Sequence, residues 1–354
     1  MPKKGEELHL GIKEIARRAN VSIGTIDRVL HNRNGVSPKT REKVKDLIKK
    51  LDYQPNLLAR RLASKKVIHI AALIPSVSND TSFWSLPLQG ILRAEEEIKK
   101  YNINVDKYFF DQDDKASFVS QSRAILRKKP DGVLLSPDFI DESVVFTNKC
   151  NQLGIPYVFI DSDVEGQNSL SYIGPHLYDS GYFAANLVNY ILRGRESVLL
   201  LNISQRMYKH HHLLRKEEGF RAYFKDNSID KKIVKIDIKK ADGLSIKKEI
   251  TSVLSGNKDI SLIFVTNSRV SIVANCLKKL KRKLILIGYD FVEENIKALT
   301  EGDIDFLICQ KPGEQGYKGV MSLYKYIVLD AQVERMQFMP IDIITRENCQ
   351  FYTN

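Results

Sequence analysis

Cysteine is scarce in this sequence, and long apolar runs are missing. The four cysteines, Cys150, Cys276, Cys309 and Cys349, are scattered with no CxxC spacing, which argues against a zinc site and against a disulfide framework. No apolar run is long enough to span a bilayer, and no apolar stretch follows the N-terminal lysines as it would in a secretory signal. We therefore expect a cytoplasmic protein with no cofactor, no bound metal and no membrane partner.

The motifs of several enzyme classes are missing as well. There is no GxSxG nucleophile turn, no Walker glycine loop and no metal-ligand spacing, so we expect that the protein is not an enzyme. Its 354 residues are too many for one ordinary domain and suit two or three.

Acidic residues are clearly outnumbered only at the N-terminal end. Residues 1–66 contain 17 Lys and Arg against 7 Asp and Glu, a net charge of +10, which leaves +2 of the total of +12 for the rest. A basic module joined to a near-neutral one predicts that the first binds a polyanion and that the second has another task. A solvated basic tail without a partner is the alternative.

The apolar periodicity of the basic module predicts three short helices. The first covers residues 12–19, and a three-residue turn separates it from the second, residues 23–30, for which Ser22 is a good N-cap. Ser37 and Pro38 begin the third helix. The residues predicted to face inward are Ile12, Ile15, Ala16, Ala19, Ile26, Val29, Leu30, Val44, Leu47, Ile48 and Leu51. Two short helices joined by a tight turn and braced by a third have the geometry of a helix-turn-helix.

Four motifs follow one another in residues 12–62. They are Ala16-x-x-Ala-x-Val-Ser, Arg28-Val-Leu, Val36-Ser-Pro-x-Thr-Arg and Tyr53-x-Pro-Asn-x-x-Ala-Arg-x-Leu. In this order they resemble the LacI family of bacterial transcription regulators. The resemblance implies an all-α headpiece that binds double-stranded operator DNA, with a helix-turn-helix domain over residues 1–54 and a hinge helix or linker over residues 55–66.

By the same resemblance, the second helix and its cap read the operator. The implied contacts are Ser22, Ile23, Gly24, Thr25, Asp27 and Arg28. Arg28 can bond bidentately to guanine, whereas Ile23 offers only apolar contact and Gly24 has no side chain. Asp27 would repel a phosphate unless it pairs with a cation or a cytosine amino group. For Arg28 the alternative is a surface salt bridge with Asp27 or Glu14.

The hinge would bind in the minor groove. Leu62 lies where family members insert a leucine between base pairs, which unstacks a step and bends the duplex. The residues implied to line the groove beside it are Asn56, Ala59 and Arg60. An isolated helix this short is marginal in water, so we expect the segment to order on DNA. The alternative is that Leu58 and Leu62 only pack the linker.

From residue 67 onward, candidate strands and helices alternate, which predicts α/β architecture with parallel sheets covered on both faces. The candidate strands are residues 68–74, 104–110, 132–135, 157–161, 170–173, 197–201, 233–238, 262–265, 284–287 and 304–309. A long helix near 177–193 separates two series of five strands, so we predict two lobes. The first would cover about 67–175 with a late crossover near 312–330, and the second about 195–310 with the C-terminal segment.

Ligands of such sheets bind beyond the carboxyl ends of the strands. Here those ends carry carboxylates, carboxamides and aromatic rings, which suit hydroxyl-rich ligands. The segments Ile287-Gly-Tyr-Asp and Ile308-Cys-Gln-Lys-Pro-x-x-x-Gly-Tyr-Lys-Gly, supported by Arg215-x-x-x-Gly-Phe and Val265-Thr-Asn, resemble the ribose-binding branch of the type I periplasmic sugar-binding-protein fold. The resemblance implies an effector-binding and dimerisation domain over residues 67–354. Its implied ligand contacts are Asn79, Phe83, Trp84, Asp161, Arg215, Asn267, Asp290 and Gln310, with Lys216 as the alternative to Arg215.

Several of these residues have structural alternatives. Asp290 and Asn267 could cap helices. Gln310 could satisfy loop backbone groups, and Trp84 could belong to the core. Three consecutive histidines at 210–212 do not face one point on a helix, so we expect no metal there and place one imidazole at the mouth of the pocket.

The two parts together predict a sequence-specific transcription regulator of the repressor kind. It would bind DNA as a homodimer or a higher oligomer, and a monosaccharide or related polyol between the lobes would control its operator affinity. Two alternatives stay open: a regulator that responds to a partner protein or a non-sugar metabolite, and a sugar-binding protein without a regulatory role.

Overall fold

A computed structural model describes residues 12–30, 32–51, 66–78, 81–192, 194, 196–204, 211–240, 242–278 and 282–354. The chain forms two compact units, residues 1–65 and residues 66–354. Within the described ranges, no helix is both long and apolar enough to cross a membrane.

The first unit is a helix-turn-helix, as predicted. Its helices are α1 (Ile12–Ala19), α2 (Ile23–Leu30) and α3 (Pro38–Lys50). The chain turns between α1 and α2 at Asn20, whose φ of 54° lies in the left-handed region that asparagine tolerates. The Ser37 side chain accepts a hydrogen bond from the Thr40 N–H and so caps α3. The buried core of this unit is Ile15, Ala16, Ala19, Ile26, Val29 and Val44.

The second unit is an α/β domain. Its strands are β1 (Ile68–Pro75), β2 (Ile103–Phe110), β3 (Gly132–Leu135), β4 (Tyr157–Ile160), β5 (Ser171–Gly174), β6 (Ser197–Ile203), β7 (Ile233–Ile238), β8 (Ile260–Val265), β9 (Ile285–Tyr289), β10 (Phe306–Cys309), β11 (Met336–Phe338) and β12 (Asp342–Ile344). Its α-helices are α4 (Ser85–Ile98), α5 (Lys115–Lys128), α6 (Ile140–Leu153), α7 (Leu177–Ile191), α8 (His211–Asp226), α9 (Gly243–Gly256), α10 (Val270–Leu277), α11 (Glu293–Thr300) and α12 (Pro312–Leu329). The ten predicted strands agree with β1 to β10 to within two residues at each end.

The strands form two six-stranded sheets, one in each lobe. The first has the order β11-β5-β4-β3-β1-β2, and all its pairings are parallel. The second has the order β12-β10-β9-β8-β6-β7 and is parallel except where β12 pairs with β10. Alternate residues of β6 enter different cores, with Leu199 on the face covered by α9 and α10 and Leu200 on the face covered by α7 and α8. The predicted parallel sheets in two lobes are confirmed.

The chain passes between the lobes after β5, after β10 and after β11. The return after β10 leads into α12, which packs against α4 and the first sheet. The prediction assigned the whole C-terminal segment to the second lobe, and for β11 this is wrong, because Met336 pairs with Tyr172 of β5 in the first sheet. Only β12 joins the second sheet. Both strands are three residues long, too short for a period-2 pattern to reveal them.

Candidate functional site

The outward face of α2 is open to solvent. Ile23 is 45% exposed, and Arg28 is also exposed. A methyl group added at Gly24 would approach only the Ser22 Oγ, at 3.7 Å. The helix therefore presents an apolar side chain and a guanidinium group beside a stretch of bare backbone.

Ser22 and Thr25 bond to each other at the start of α2. The Ser22 Oγ accepts the Thr25 N–H at 3.1 Å and lies 3.0 Å from the Thr25 Oγ1. Ser22 thus acts as the N-cap of the helix. Because the Thr25 hydroxyl already has a partner, Arg28 is the side chain of this face with the most hydrogen-bonding capacity to offer DNA.

The two carboxylates that could have paired with Arg28 have other partners. Arg33 donates to the Asp27 Oδ2 at 3.1 Å. Glu14 accepts from Arg17 at 2.6 and 2.8 Å and from Arg18 at 2.8 Å. These hydrogen bonds lower the pKa of Glu14 to about 2. Asp27 is thus paired with the cation of Arg33. Because of this pairing, Asp27 can lie near a phosphate without repelling it.

Several predicted residues lie outside the described part of the chain. They are the hinge residues Asn56, Ala59, Arg60 and Leu62, together with Asn79 and His210. Their proposed roles stay predictions.

A cleft between the two lobes brings six of the predicted ligand residues together. They are Phe83, Trp84 and Asp161 from the first lobe and Asn267, Asp290 and Gln310 from the second. Each is at most 8% exposed. Both rings and all four polar side chains thus line one cleft.

Asp161 and Asp290 hold equivalent places in the two lobes. Each directly follows a strand, β4 or β9, and each has a left-handed backbone, with φ of 69° and 74°, which Asp adopts more readily than most residues. Gln315 Oε1 accepts the Asp161 N–H at 3.0 Å, and Asn295 Nδ2 donates to the Asp290 carbonyl at 3.0 Å. These bonds hold the strained turns that bring both carboxyls to the cleft. Burial raises the pKa of both, that of Asp290 to about 7.

Lys216 supplies a buried cation to the cleft. It lies on α8, which approaches α7 so closely that a methyl group on Gly181 would be 1.8 Å from the Lys216 carbonyl oxygen. The Lys216 Nζ is 3.8 Å from the centre of the Tyr289 ring and 3.5 Å from the Thr266 carbonyl oxygen. Burial lowers the pKa of Lys216, and the charges of Asp290 and Asp161 oppose that shift.

Arg215 lies outside the cleft, which corrects its predicted role. Its guanidinium donates to the Glu218 Oε2 at 2.8 Å and lies 5.7 Å from the centre of the Tyr178 ring. Neighbouring residues of a helix point about 100° apart, and here Lys216 faces the cleft whereas Arg215 faces Glu218 and Tyr178. The structure brings Lys216, the alternative, to that position.

Asp290 and Gln310 bond to each other at the ends of β9 and β10. The Gln310 Nε2 donates to the Asp290 Oδ1 at 3.3 Å, and the Gln310 carbonyl accepts from the Gln315 Nε2 at 2.9 Å. The Gln310 Oε1 is buried and, among the residues that the structure describes, has no hydrogen-bond partner. An acceptor buried without a partner costs free energy, which a donor on a ligand would recover.

Asn267 serves the scaffold as well as the cleft. Its Nδ2 donates to the Ile203 carbonyl at 2.7 Å, and its Oδ1 accepts the Arg269 N–H at 3.3 Å. The rings of Phe83 and Trp84 meet edge to face, with their centres 5.1 Å apart. Trp84 therefore belongs to the buried core, which was the alternative to a ligand contact, and it also lines the cleft.

Other residues that were not among the predicted contacts also line the cleft. Gln112, Asp138 and Arg269 are among them. The Gln112 Nε2 donates to the Asp138 Oδ2 at 2.9 Å. Gln112 and Asp138 closely follow β2 and β3, so the strand-end rule, applied to these two strands as well, finds them. Burial raises the pKa of Asp138 to about 7.

The histidine run reaches the cleft through one residue. His212 lines it, where one imidazole of the run was predicted. Across the described ranges, no group of three or more His, Cys, Asp and Glu side chains is placed to hold a metal ion.

Two hydrogen-bonded contacts join the lobes beside the cleft. The Thr81 Oγ1 lies 2.9 Å from the Ser268 Oγ. Glu294 accepts the Ser82 N–H at 2.9 Å and the Ser82 hydroxyl at 2.8 Å. Thr81 and Ser82 belong to the first lobe, and Ser268 and Glu294 to the second. These four residues, here named the clasp, correspond to a closed arrangement of the lobes.

The fold and the cleft define a two-lobed binding domain in a chain that also carries a helix-turn-helix unit. Residues 70–330 match the family described as periplasmic binding protein domain, and residues 11–56 match bacterial regulatory proteins, lacI family. The chain belongs to the periplasmic binding protein domain family, and its N-terminal unit is a helix-turn-helix of the bacterial regulatory proteins, lacI family.

Named relatives agree with this assignment. The HTH-type transcriptional regulator RegA of Clostridium acetobutylicum is 32% identical over 187 residues, which are 51% of this chain and 52% of that protein. Catabolite control protein A of Staphylococcus epidermidis is 32% identical over 152 residues, 43% of this chain and 44% of that protein. The chain spans about half the length of the curated relatives it matches. Their names are those of regulators, in agreement with the expectation that this chain is not an enzyme.

Solved structures share the second unit. One that is named as a LacI transcriptional regulator of Bacteroides fragilis matches with a TM-score of 0.77 and 29% identity, over 81% of this chain and 100% of that one. GanP, a glucose-galactose binding protein of Geobacillus stearothermophilus, matches with a TM-score of 0.71 and 21% identity, over 80% of this chain and 99% of that one. The second likeness is one of fold alone.

Proposed function

We propose that the protein is a sequence-specific transcription regulator of the repressor kind. It binds operator DNA in the cytoplasm as a homodimer, and a monosaccharide or related polyol in the cleft controls its operator affinity. The observation that carries the proposal is the closed cleft, in which both lobes contribute polar side chains, in a chain with a lacI-family helix-turn-helix.

The exposed face of α2 supports the DNA part of the proposal. Arg28 would bond to a guanine edge, and Ile23 would contact a thymine methyl group. With Gly24 bare and Asp27 paired to Arg33, few groups of this helix can read bases. Insertion of Leu62 into the minor groove, and the DNA shape it requires, would then supply a large share of the specificity.

The chemistry of the cleft supports a polyol ligand. Buried carboxylates and carboxamides from both lobes can bond to adjacent hydroxyl groups, and the rings of Phe83 and Trp84 offer apolar faces to the C–H side of a sugar. The name of GanP, a glucose-galactose binding protein with the same fold, agrees with this ligand class.

The clasp supports coupling between ligand and operator. A ligand that contacts both lobes favours the closed arrangement, because only there are all its contacts made. If the closed lobes alter the spacing of two hinges in a dimer, the ligand changes operator affinity by the same factor as the operator changes ligand affinity. Operator titrations with and without ligand give the sign of the effect.

Two experiments test the proposal. Binding of the full chain and of residues 67–354 to genomic fragments is compared at several salt concentrations, and we expect tight, steeply salt-dependent binding from the full chain alone. Equal binding by both proteins would contradict the DNA part. A thermal-shift screen of monosaccharides and polyols tests the ligand part, and a hit that Asp290→Ala and Gln310→Ala leave unchanged would place the ligand elsewhere.

A further inference from the structure

The lining of the cleft contains more acidic than basic side chains. Four carboxyls line it, those of Asp113, Asp138, Asp161 and Asp290, against the cations Lys216 and Arg269. All but Asp113 among these carboxyls are buried. A closed, low-dielectric space with this imbalance repels a negatively charged ligand more strongly than an exposed surface does.

The two cations already face carboxyls. Lys216 lies over the Tyr289 ring, and its charge acts on Asp290 and Asp161. The charge of Arg269 acts on Asp138. An anionic ligand would have to compete with these carboxyls for both cations, and it would leave the carboxyls without compensation.

Two buried acceptors that line the cleft, within the part of the chain that the structure describes, have no hydrogen-bond partner. Among the residues that the structure describes, no donor bonds to the Asp138 Oδ1 or to the Gln310 Oε1, although these residues are 6% and 3% exposed. Phosphate and carboxylate oxygens of a ligand are themselves acceptors and cannot satisfy them, whereas hydroxyl and ammonium groups donate. These two acceptors therefore call for donors on a ligand.

We propose that the cleft binds a polyol without negative charge, either neutral or carrying an amino group, and that Asp138 is a specificity-determining residue that rejects sugar phosphates and sugar acids. The proposal rests on the proposed function, since it names the class of sugar that the same cleft takes. It adds a residue that follows β3 and is not part of the motifs from which the ligand contacts were predicted.

The surroundings of Asp138 set the pH range of this selection. Burial and the charges of Asp161 and Asp113 raise its pKa, to about 7, while the hydrogen bond from Gln112 and the charge of Arg269 oppose the rise. Above pH 7 the carboxylate prevails, and the rejection of anions is strongest. As the pH falls below 7 the group is protonated and the rejection weakens.

The test compares sugars that share one carbon skeleton and differ in charge. D-glucose, D-glucosamine, D-glucose 6-phosphate and D-glucuronate form one set, and D-ribose and D-ribose 5-phosphate form another. Dissociation constants for the full chain are measured by calorimetry at pH 8. In any set where the neutral sugar or its amine binds, we expect the dissociation constants of the anionic members to be at least tenfold higher. We expect Asp138→Asn to reduce this gap, the ratio between the dissociation constants of the anionic and the neutral sugar. Asp141→Asn, an exposed carboxyl three residues along the chain, is the matched control and should leave the gap unchanged.

An anionic sugar that binds as tightly as its neutral parent, with an affinity that Asp290→Ala abolishes, overturns the charge selection but leaves the sugar-binding function intact. A measurement without ligand decides the inference even if none of these sugars binds. Because burial raises the pKa of Asp138 despite the charge of Arg269, replacing this carboxylate by Asn should raise the Tm of the ligand-free protein at pH 8 and change it much less at pH 5. A lower Tm for Asp138→Asn at pH 8 would show that Arg269 and Gln112 stabilise the ionised carboxylate more than burial destabilises it, and would overturn the proposal.

Discussion

The exposed face of α2 and the cleft between the lobes differ in the sign of the charges that they offer to a ligand. On the first unit, arginines pair with the carboxylates of Glu14 and Asp27 at the surface, and Arg28 extends from a unit with a large positive charge. In the cleft, several carboxyls are buried around Lys216. The first surface suits a polyanion, and the second suits a donor-rich ligand without negative charge. One chain can therefore bind two chemically opposite partners without either competing for the site of the other.

The largest expected effect is a loss of ligand affinity that occurs when Lys216 is replaced but not when its neighbour Arg215 is replaced. Lys216→Met removes a charged donor from the cleft, and we expect ligand affinity to fall by about 3 kcal/mol, more than a hundredfold. Arg215→Met removes the same charge from the surface, where the guanidinium pairs with Glu218, and affinity should change less than about twofold. Calorimetric titration with the sugar that gives the largest thermal shift measures both. A loss confined to Arg215→Met would restore the motif-based prediction.

A second prediction compares the contributions of Arg28 and Arg17 to operator affinity. Arg28→Ala should lower operator affinity by about 2 kcal/mol and relax discrimination at one base pair, because a bidentate contact to guanine is lost. Arg17→Ala removes an arginine that Glu14 already neutralises, so its effect should be small. Fluorescence anisotropy on matched and mutated operators distinguishes the two. If Arg28→Ala lowers affinity for all sequences equally, Arg28 contacts only phosphate.

The same two regions show how far the sequence determines structure and site. Both ends of α1 and α2 and the start of α3 were predicted to the residue, because apolar spacing and two serine caps are local signals. The strand-end rule located Asp161, Asp290 and Gln310, because it follows from the sheet topology rather than from any single side chain.

Other features could not be read from local pattern. The choice between Arg215 and Lys216 depends on the rotation of α8 about its axis, which the approach of α7 at Gly181 fixes. The strand β11 is three residues long and owes its place to pairing with β5, more than 160 residues earlier in the chain. Both are consequences of tertiary packing, which overrides short sequence patterns.

Stability against pH should also separate the two units. Burial raises the pKa of Asp290 and Asp138 to about 7, above the ordinary value of 3.8. The folded domain therefore binds more protons than the unfolded chain between about pH 4 and pH 7, and the free energy of unfolding falls as the pH rises through that window. Between pH 6 and pH 7 we expect a loss of about 2 kcal/mol, about 1 kcal/mol for each of the two carboxyls.

The first unit should not respond in that range. Hydrogen bonds to Arg17 and Arg18 lower the pKa of Glu14 to about 2, so its stabilising contribution is lost only as the pH falls from about 4.5 towards 2. Trp84 is the single tryptophan of the chain and lies in the cleft, so its fluorescence in urea reports the second unit alone. A free energy of unfolding that rises between pH 6 and pH 7 would show that the carboxyls of the cleft are ionised and paired in the folded state.

The smallest expected effect concerns the clasp. Glu294 accepts two hydrogen bonds from Ser82 across the lobes, and both groups are only half-buried. Glu294→Gln keeps one acceptor and removes the charge. We therefore expect the substitution to destabilise the closed arrangement by less than about 1 kcal/mol. Ligand affinity should fall by about two- to fivefold, mainly through faster dissociation, because the clasp forms after the ligand has entered.

The neighbouring Glu293→Gln is the matched control, since Glu293 is exposed in the same first turn of α11 and makes the same change of charge. Stopped-flow measurements that follow Trp84 fluorescence separate association from dissociation. If Glu294→Gln and Glu293→Gln change dissociation equally, the effect is one of helix electrostatics and the clasp plays no part in holding the lobes. If only Glu294→Gln speeds dissociation while operator binding without ligand stays unchanged, the clasp acts on the ligand-bound state alone, and the cleft rather than the headpiece sets the lifetime of that state.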